Sequence, residues 1–209
     1  MNDFTYEYKG IKQEGERLEK YEWDKVLIES TKDLTAKRVL YIGDSISCAI
    51  REVATVQTRR EILFDGIGTS KGIDNPCFKN ALKLFAMQQP QRQAVIFNNG
   101  LHGWHLDDET EYKDYYEDMV KFILSEFPGT PLGIVLTTAV ADAEEDKRAA
   151  ARNKVASKIA EKYSLKVIDL YRISSENINL LCGDGVHFQP EGYEILAAEV
   201  VRACRKMIG

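Results

Sequence analysis

The 209-residue chain has no apolar run near the ~18 residues that cross a bilayer, so a membrane-spanning protein is not expected. Its first residues, Met1-Asn2-Asp3-Phe4-Thr5-Tyr6-Glu7-Tyr8, carry neither a basic stretch nor an apolar core. No signal peptide is read there, and the expected location is the cytoplasm. The four cysteines, Cys48, Cys77, Cys182 and Cys204, include no Cys-x-x-Cys pair. This spacing argues against zinc and dithiol chemistry and fits buried free thiols in a reducing compartment. Basic residues are scattered without a stripe, and the net charge is −5, so nucleic acid is not an expected partner. Internal repeats, low-complexity segments and linkers are lacking as well.

A composition of 44% hydrophobic and 29% charged residues is that of a globular protein, with length for one full core but not for two ordinary domains. The first 35 residues are charged and poor in strand signals. Over 14–33 a helix is expected, with Leu18, Tyr21, Val26 and Leu27 on one side. Residues 1–35 are therefore read as an N-terminal extension packed on a domain spanning 36–209. From Arg38 onward, short apolar runs at 39–42, 62–64, 94–97, 132–136 and 167–170 alternate with longer helical stretches. The helices are expected near 46–55, 78–88, 111–127, 144–162 and 191–207, with Pro90, Pro128 and Pro131 punctuating helix ends ahead of strands. Continuous apolar runs suit strands covered on both faces. Strands alternating with helices imply an α/β protein, a three-layer α/β/α sandwich around a five-stranded parallel sheet.

In such a sheet, ligands bind beyond the carboxyl ends of the strands. The first run ends in Gly43-Asp44-Ser45. The second is followed by Asp65-Gly66-Ile67-Gly68-Thr69-Ser70, and the third by Asn98-Asn99-Gly100-Leu101-His102-Gly103-Trp104-His105. Beyond the fifth lies Gly183-Asp184-Gly185-Val186-His187-Phe188. Small, polar and titratable residues thus gather at one edge. Ser45, at a strand-to-helix turn, has its N–H where partial positive charge favours an oxyanion. A serine hydroxyl is a poor nucleophile without a base in hydrogen-bond reach. His187 is the best base, and Asp184, three residues before it, the best group to orient its other nitrogen. The plainer role of Asp44 or Ser45 is a helix cap, and that of Asp184-Gly185 an ordinary turn. Gly66 and Gly68 offer close backbone approach, and Asn98, Asn99 or His102 a side-chain donor. Asp44, Ser70 and Trp104 are expected to contact a substrate. His102 and His105 with Asp107 and Asp108 mimic a metal site, but no second cluster completes it, and no metal is expected.

Gly43-Asp44-Ser45-Ile46 resembles the first block of the SGNH (GDSL-type) hydrolases, and Asp184-Gly185-Val186-His187-Phe188 resembles their last, Asp-x-x-His. The order Ser, Asp, His is also similar. The resemblance covers about four-fifths of the chain and implies a flavodoxin-like SGNH hydrolase fold, with Ser45, His187 and Asp184 as catalytic triad. In the oxyanion hole it places the Ser45 N–H, Gly68 and either Asn99 or His102, since His102 stands where the third block usually has asparagine. The expected function is a serine esterase or deacylase acting on a small-molecule ester, an O-acetylated carbohydrate among the candidates, with no cofactor required. The missing lid insertion weakens a true lipase reading. The rival readings are a non-catalytic small-ligand-binding domain and a flavin or nucleotide binder. The latter is disfavoured by a short first loop whose acid repels phosphate.

Overall fold

The computed structural model describes residues 11, 14–89 and 91–209. The polar start at 1–8 and the punctuating Pro90 lie outside the described residues. Six strands form one sheet: β1 (Asp24–Leu27), β2 (Lys37–Gly43), β3 (Ile62–Thr69), β4 (Ala94–Phe97), β5 (Leu132–Val135) and β6 (Lys166–Ile168). Their order is β1-β3-β2-β4-β5-β6. Strands β2 to β6 are parallel, and β1 pairs antiparallel to β3. The helices are α1 (Ser45–Gln57), α2 (Phe78–Ala86), α3 (Glu109–Glu126), α4 (Ala143–Lys162), α5 (Leu170–Glu176) and α6 (Pro190–Ile208).

Residue alternation along β2 explains the unbroken apolar runs. Leu40 and Ile42 enter one core, with Phe78 of α2, Tyr116 and Val120 of α3, and Ile159 of α4. Val39 and Tyr41 enter the other, with Ile50 and Ala54 of α1 and Ala197 and Val200 of α6. A strand covered by helices on both sides must be apolar at successive positions. The three-layer α/β sandwich expected from the sequence is therefore present. No described helix is long and apolar enough to cross a membrane.

Two expectations are corrected. The five parallel strands are present, but a sixth strand, β1, comes from the segment read as an extension. The helix expected over 14–33 is absent; its place holds one 3₁₀ turn, Gly15–Arg17, followed by β1. Strand β1 is mostly exposed, so no apolar stripe announces it. Backbone pairing to β3 holds it instead. Arg38, fully buried, anchors the chain that follows, donating to the carbonyls of Glu29 (2.8 Å), Ser30 (3.0 Å) and Asp33 (3.0 Å) and to Asp65 (2.9 Å). Strand β3 also runs on to Thr69, so Asp65, Gly66 and Gly68 are strand residues rather than a loop.

Candidate active site

The turn from β2 into α1 carries Ser45. Asp44 is its N-cap, with Oδ1 accepting the N–H groups of Ile46 (2.9 Å) and Ser47 (3.3 Å). The turn lies tight on bare backbone. A Cβ at Gly43 would fall 2.7 Å from Ser47 Cβ, and one at Gly68 would fall 2.3 Å from Cys48 Sγ and 2.9 Å from the Asp44 carbonyl oxygen. Side chains at those two positions would push the nucleophile turn off the sheet. Ser45 opens the helix, so its N–H has no acceptor within α1 and lies in the positive field of the helix terminus.

The opposing loop is closed by its own backbone. Cys182 N–H donates to the His187 carbonyl (2.7 Å) and Gly185 N–H to the Cys182 carbonyl (3.0 Å). Gly185 has φ +73°, and a Cβ there would meet Ala141 Cβ at 2.9 Å, so the position requires glycine. Pro190, at the first turn of α6, ends the loop.

These two segments meet. His187 Nε2 lies 2.8 Å from Ser45 Oγ, across 142 positions of sequence, and His187 Nδ1 lies 2.8 Å from Asp184 Oδ2. Asp184 Oδ1 accepts the N–H groups of Val186 and His187, each at 2.9 Å. Those two donors, joined by the imidazole, hold the Asp184 carboxyl down at about 2. An ionised carboxylate only accepts hydrogen bonds, so Nδ1 carries the ring proton and Nε2 turns its lone pair to the serine O–H. Both Asp184 and His187 stay substantially exposed, which leaves the serine oxygen within reach of solvent.

The flanking loops close across the end of β2. Because β2 lies between β3 and β4, contacts between the loops after those strands must pass over its carboxyl end. Asn99 Nδ2 donates to the Lys71 carbonyl there (2.9 Å), and a Cβ at Gly72 would touch Gly103 Cα at 2.9 Å.

Several expected site residues prove to be scaffold. Gly68 is flanked in the sheet by Gly43 and Lys25. Its N–H therefore lies in the sheet plane rather than pointing out of the edge, and the backbone donor expected there is misplaced. Asn99 is 2% exposed, ties down Lys71, and accepts the Tyr112 hydroxyl at its own carbonyl. Asp44, expected to contact substrate, is 3% exposed and caps α1. Ser70 accepts the Trp23 N–H (2.8 Å) and donates to Glu22 (3.2 Å). Trp104 has two guanidinium groups, Arg148 and Arg152, each 4.7 Å from its ring centroid. The four residues that mimicked a metal site go to separate partners: His102 to Glu19, His105 to Asp74, Asp107 to Arg148, and Asp108 to the cap of α3.

Arg152 and Glu19, which the sequence did not single out, hold the loop that follows β4. Arg152, 5% exposed, reaches from α4 to the carbonyls of Gly100 (3.2 Å), His102 (2.7 Å), Gly103 (2.7 Å) and Leu106 (3.2 Å). Its charge is offset by those dipoles and by the faces of Trp104 and Tyr112. The available signal was the pair Arg148 and Arg152, like charges one helical turn apart, which an exposed helix disfavours. Glu19, in the N-terminal segment, gave no signal at all.

No family model and no curated relative matches this sequence. Solved structures do. A lipase/acylhydrolase from Enterococcus faecalis superposes with a TM-score of 0.67 at 18% identity, covering 83% of this chain and 97% of its own. A protein from Slackia heliotrinireducens assigned to the SGNH hydrolases gives 0.62 at 18% identity, covering 81% and 99%. An acetyl xylan esterase from Geobacillus stearothermophilus gives 0.60 at 18% identity, covering 83% and 94%. The chain therefore has the SGNH hydrolase fold.

Proposed function

We propose that this protein is a serine esterase that cleaves small carboxylic esters through an acyl-enzyme. The observation that carries the reading is the unbroken chain Ser45–His187–Asp184, with 2.8 Å at each link. His187 Nε2 takes the Ser45 proton as Oγ attacks the ester carbonyl. Asp184, already anchored by two backbone N–H groups, steadies the imidazolium. The tetrahedral intermediate collapses as His187 returns the proton to the departing alkoxide. Water, deprotonated by the same nitrogen, then attacks the acyl group and frees the carboxylic acid and Ser45.

The developing oxyanion is placed at the Ser45 N–H, the Gly72 backbone and the His102 ring. Gly72 takes the role expected of Gly68 because it lies beyond the end of β3. His102 is preferred to Asn99 because its ring is 20% exposed at the edge, whereas the Asn99 amide is committed to Lys71. O-acetylated carbohydrate is the favoured substrate class, supported by the acetyl xylan esterases among the structural neighbours. Binding without catalysis is disfavoured: a bare ligand site has no use for a serine hydroxyl aimed at an oriented imidazole.

Ser45→Ala decides the matter. It should abolish turnover of p-nitrophenyl acetate with an unchanged melting curve, and a fluorophosphonate should label Ser45 of the wild type, as read by mass spectrometry. An active Ala variant refutes the mechanism. Acetylated sugars assayed against p-nitrophenyl esters of increasing chain length then rank the substrates.

A further inference from the structure

We propose that Glu19, in the N-terminal segment, is a positioning residue that holds the His102 ring as a donor to the substrate's carbonyl oxygen. The inference rests on the esterase reading above. His102 sits in the loop between β4 and α3. Arg152 grips that loop through four carbonyls, His102's own included, and lies over the Trp104 ring, but it bonds His102 only at the carbonyl and not at the imidazole. The ring's direction is set from the other side. Glu19 Oε1 lies 3.5 Å from His102 Nδ1 and also accepts the Gly103 N–H at 3.0 Å. One carboxylate oxygen therefore fixes both the ring and the adjacent peptide. Trp23 adds an edge-on contact, with ring centroids 6.1 Å apart.

The segment bearing Glu19 is itself tied to the loops beside Ser45. Trp23 and Ser70 exchange two hydrogen bonds, Trp23 N–H to Ser70 Oγ (2.8 Å) and Ser70 N–H to the Trp23 carbonyl (3.1 Å). Arg17 donates to Asp74 (3.0 Å), which also holds His105 (2.9 Å). Strand β1 continues the attachment along β3. The segment is thus tied to the loops that follow β3 and β4 rather than forming a tail.

The chemistry follows from which nitrogen is occupied. With a carboxylate at Nδ1, the proton on that nitrogen points to Glu19 and Nε2 faces away from it. Nε2 donates when it too carries a proton, and the Glu19 carboxylate then faces the positive ring across Nδ1. His102 binding, in turn, draws the Glu19 carboxyl below its ordinary range. The charged groups nearest the ring are Glu19 from the N-terminal segment and Arg152 from α4, with the His105–Asp74 pair beyond. The site then holds two His–carboxylate pairs of opposite duty: His187 as the base, His102 as a fixed donor.

A double-mutant cycle on the full-length chain tests this, with p-nitrophenyl acetate as substrate. Glu19→Gln keeps an oxygen for Gly103 N–H and removes the charge, so the melting temperature should hold. Its kcat should fall about 10- to 100-fold with KM nearly unchanged, the signature of a lost transition-state donor. His102→Gln should show a loss at least as large, and adding Glu19→Gln to it should change kcat by less than about twofold. Equal losses from Glu19→Gln in both backgrounds overturn the proposal, as does wild-type kcat in either single variant. Fluorophosphonate labelling of wild-type Ser45 separates this failure from failure of the esterase reading: a labelled serine with no Glu19 effect sinks only the positioning role.

Discussion

Replacing Asp184 with Asn tests the direction of the proton relay with little change of shape. The amide oxygen can still accept the Val186 and His187 N–H groups, which now bond at 2.9 Å each. The amide NH₂ then faces His187 Nδ1 in place of an acceptor at 2.8 Å. Two donors cannot share that line, so the ring sheds its Nδ1 proton and carries it on Nε2. Nε2 then presents a proton to Ser45 Oγ and cannot accept one. A wrong tautomer in such a relay costs about 10⁴ in kcat, or about 5 kcal/mol of barrier at about 1.36 kcal/mol per decade. The assay is kcat on p-nitrophenyl acetate beside a thermal melt. The pH profile gives a second reading. Asp184 is held at about 2 in the folded protein, below the unfolded carboxylate. Its contribution to stability is therefore present above the unfolded pKa and is lost only as pH falls through about 2. Asp184 therefore stays ionised at any ordinary assay pH, and its own protonation does not shape the acid limb of wild-type activity. An Asp184→Asn variant that folds normally and keeps kcat within tenfold of wild type refutes the relay.

Two further substitutions probe the scaffold. Gly68→Ala puts a methyl 2.3 Å from Cys48 Sγ and 2.9 Å from the Asp44 carbonyl oxygen; the thiol can swing aside but the backbone cannot. The expected cost is about 1–3 kcal/mol in thermal or urea melts, with a fall in kcat as the Ser45 turn shifts; an unchanged melt contradicts the packing argument. Arg152→Lys leaves at most three donors, without a planar fork, for four carbonyls. It should destabilise the fold by about 2–3 kcal/mol in urea and lower kcat/KM through the loop bearing His102, whereas a neutral outcome would show that the loop holds itself.

How much could be read beforehand depended on the kind of signal each element leaves. Strands β2 to β5 announced themselves because burial on both faces forces apolar residues at successive positions, while β6, at the sheet edge with Lys166 exposed, showed only through its short apolar run. Ser45, Asp184 and His187 stood out as candidates because a nucleophile, a base and an orienting acid must be specific residue types, and each sits in a short turn whose glycines are visible in sequence; the structure brings the three into one hydrogen-bonded chain. β1 left no mark, since an exposed edge strand is held by backbone pairing, to which side-chain periodicity is blind. Gly68 was misread for a related reason. A glycine that opens space for a helix and one that offers its N–H to a ligand look alike until the strand's extent is known.

The sequence alone determined the layered α/β sheet and marked Ser45, Asp184 and His187 as the candidate groups, because both follow from local chemistry: apolar runs, turn residues and reactive side chains. Tertiary structure decided everything that depends on which distant segments touch. It brought Ser45 to 2.8 Å from His187, assigned Asp44, Ser70 and Asn99 to holding the frame, buried Arg152 beneath the third loop, and laid Glu19 against His102. Those contacts join residues whose separation along the chain carries no periodic or compositional trace, so only the folded backbone sets them.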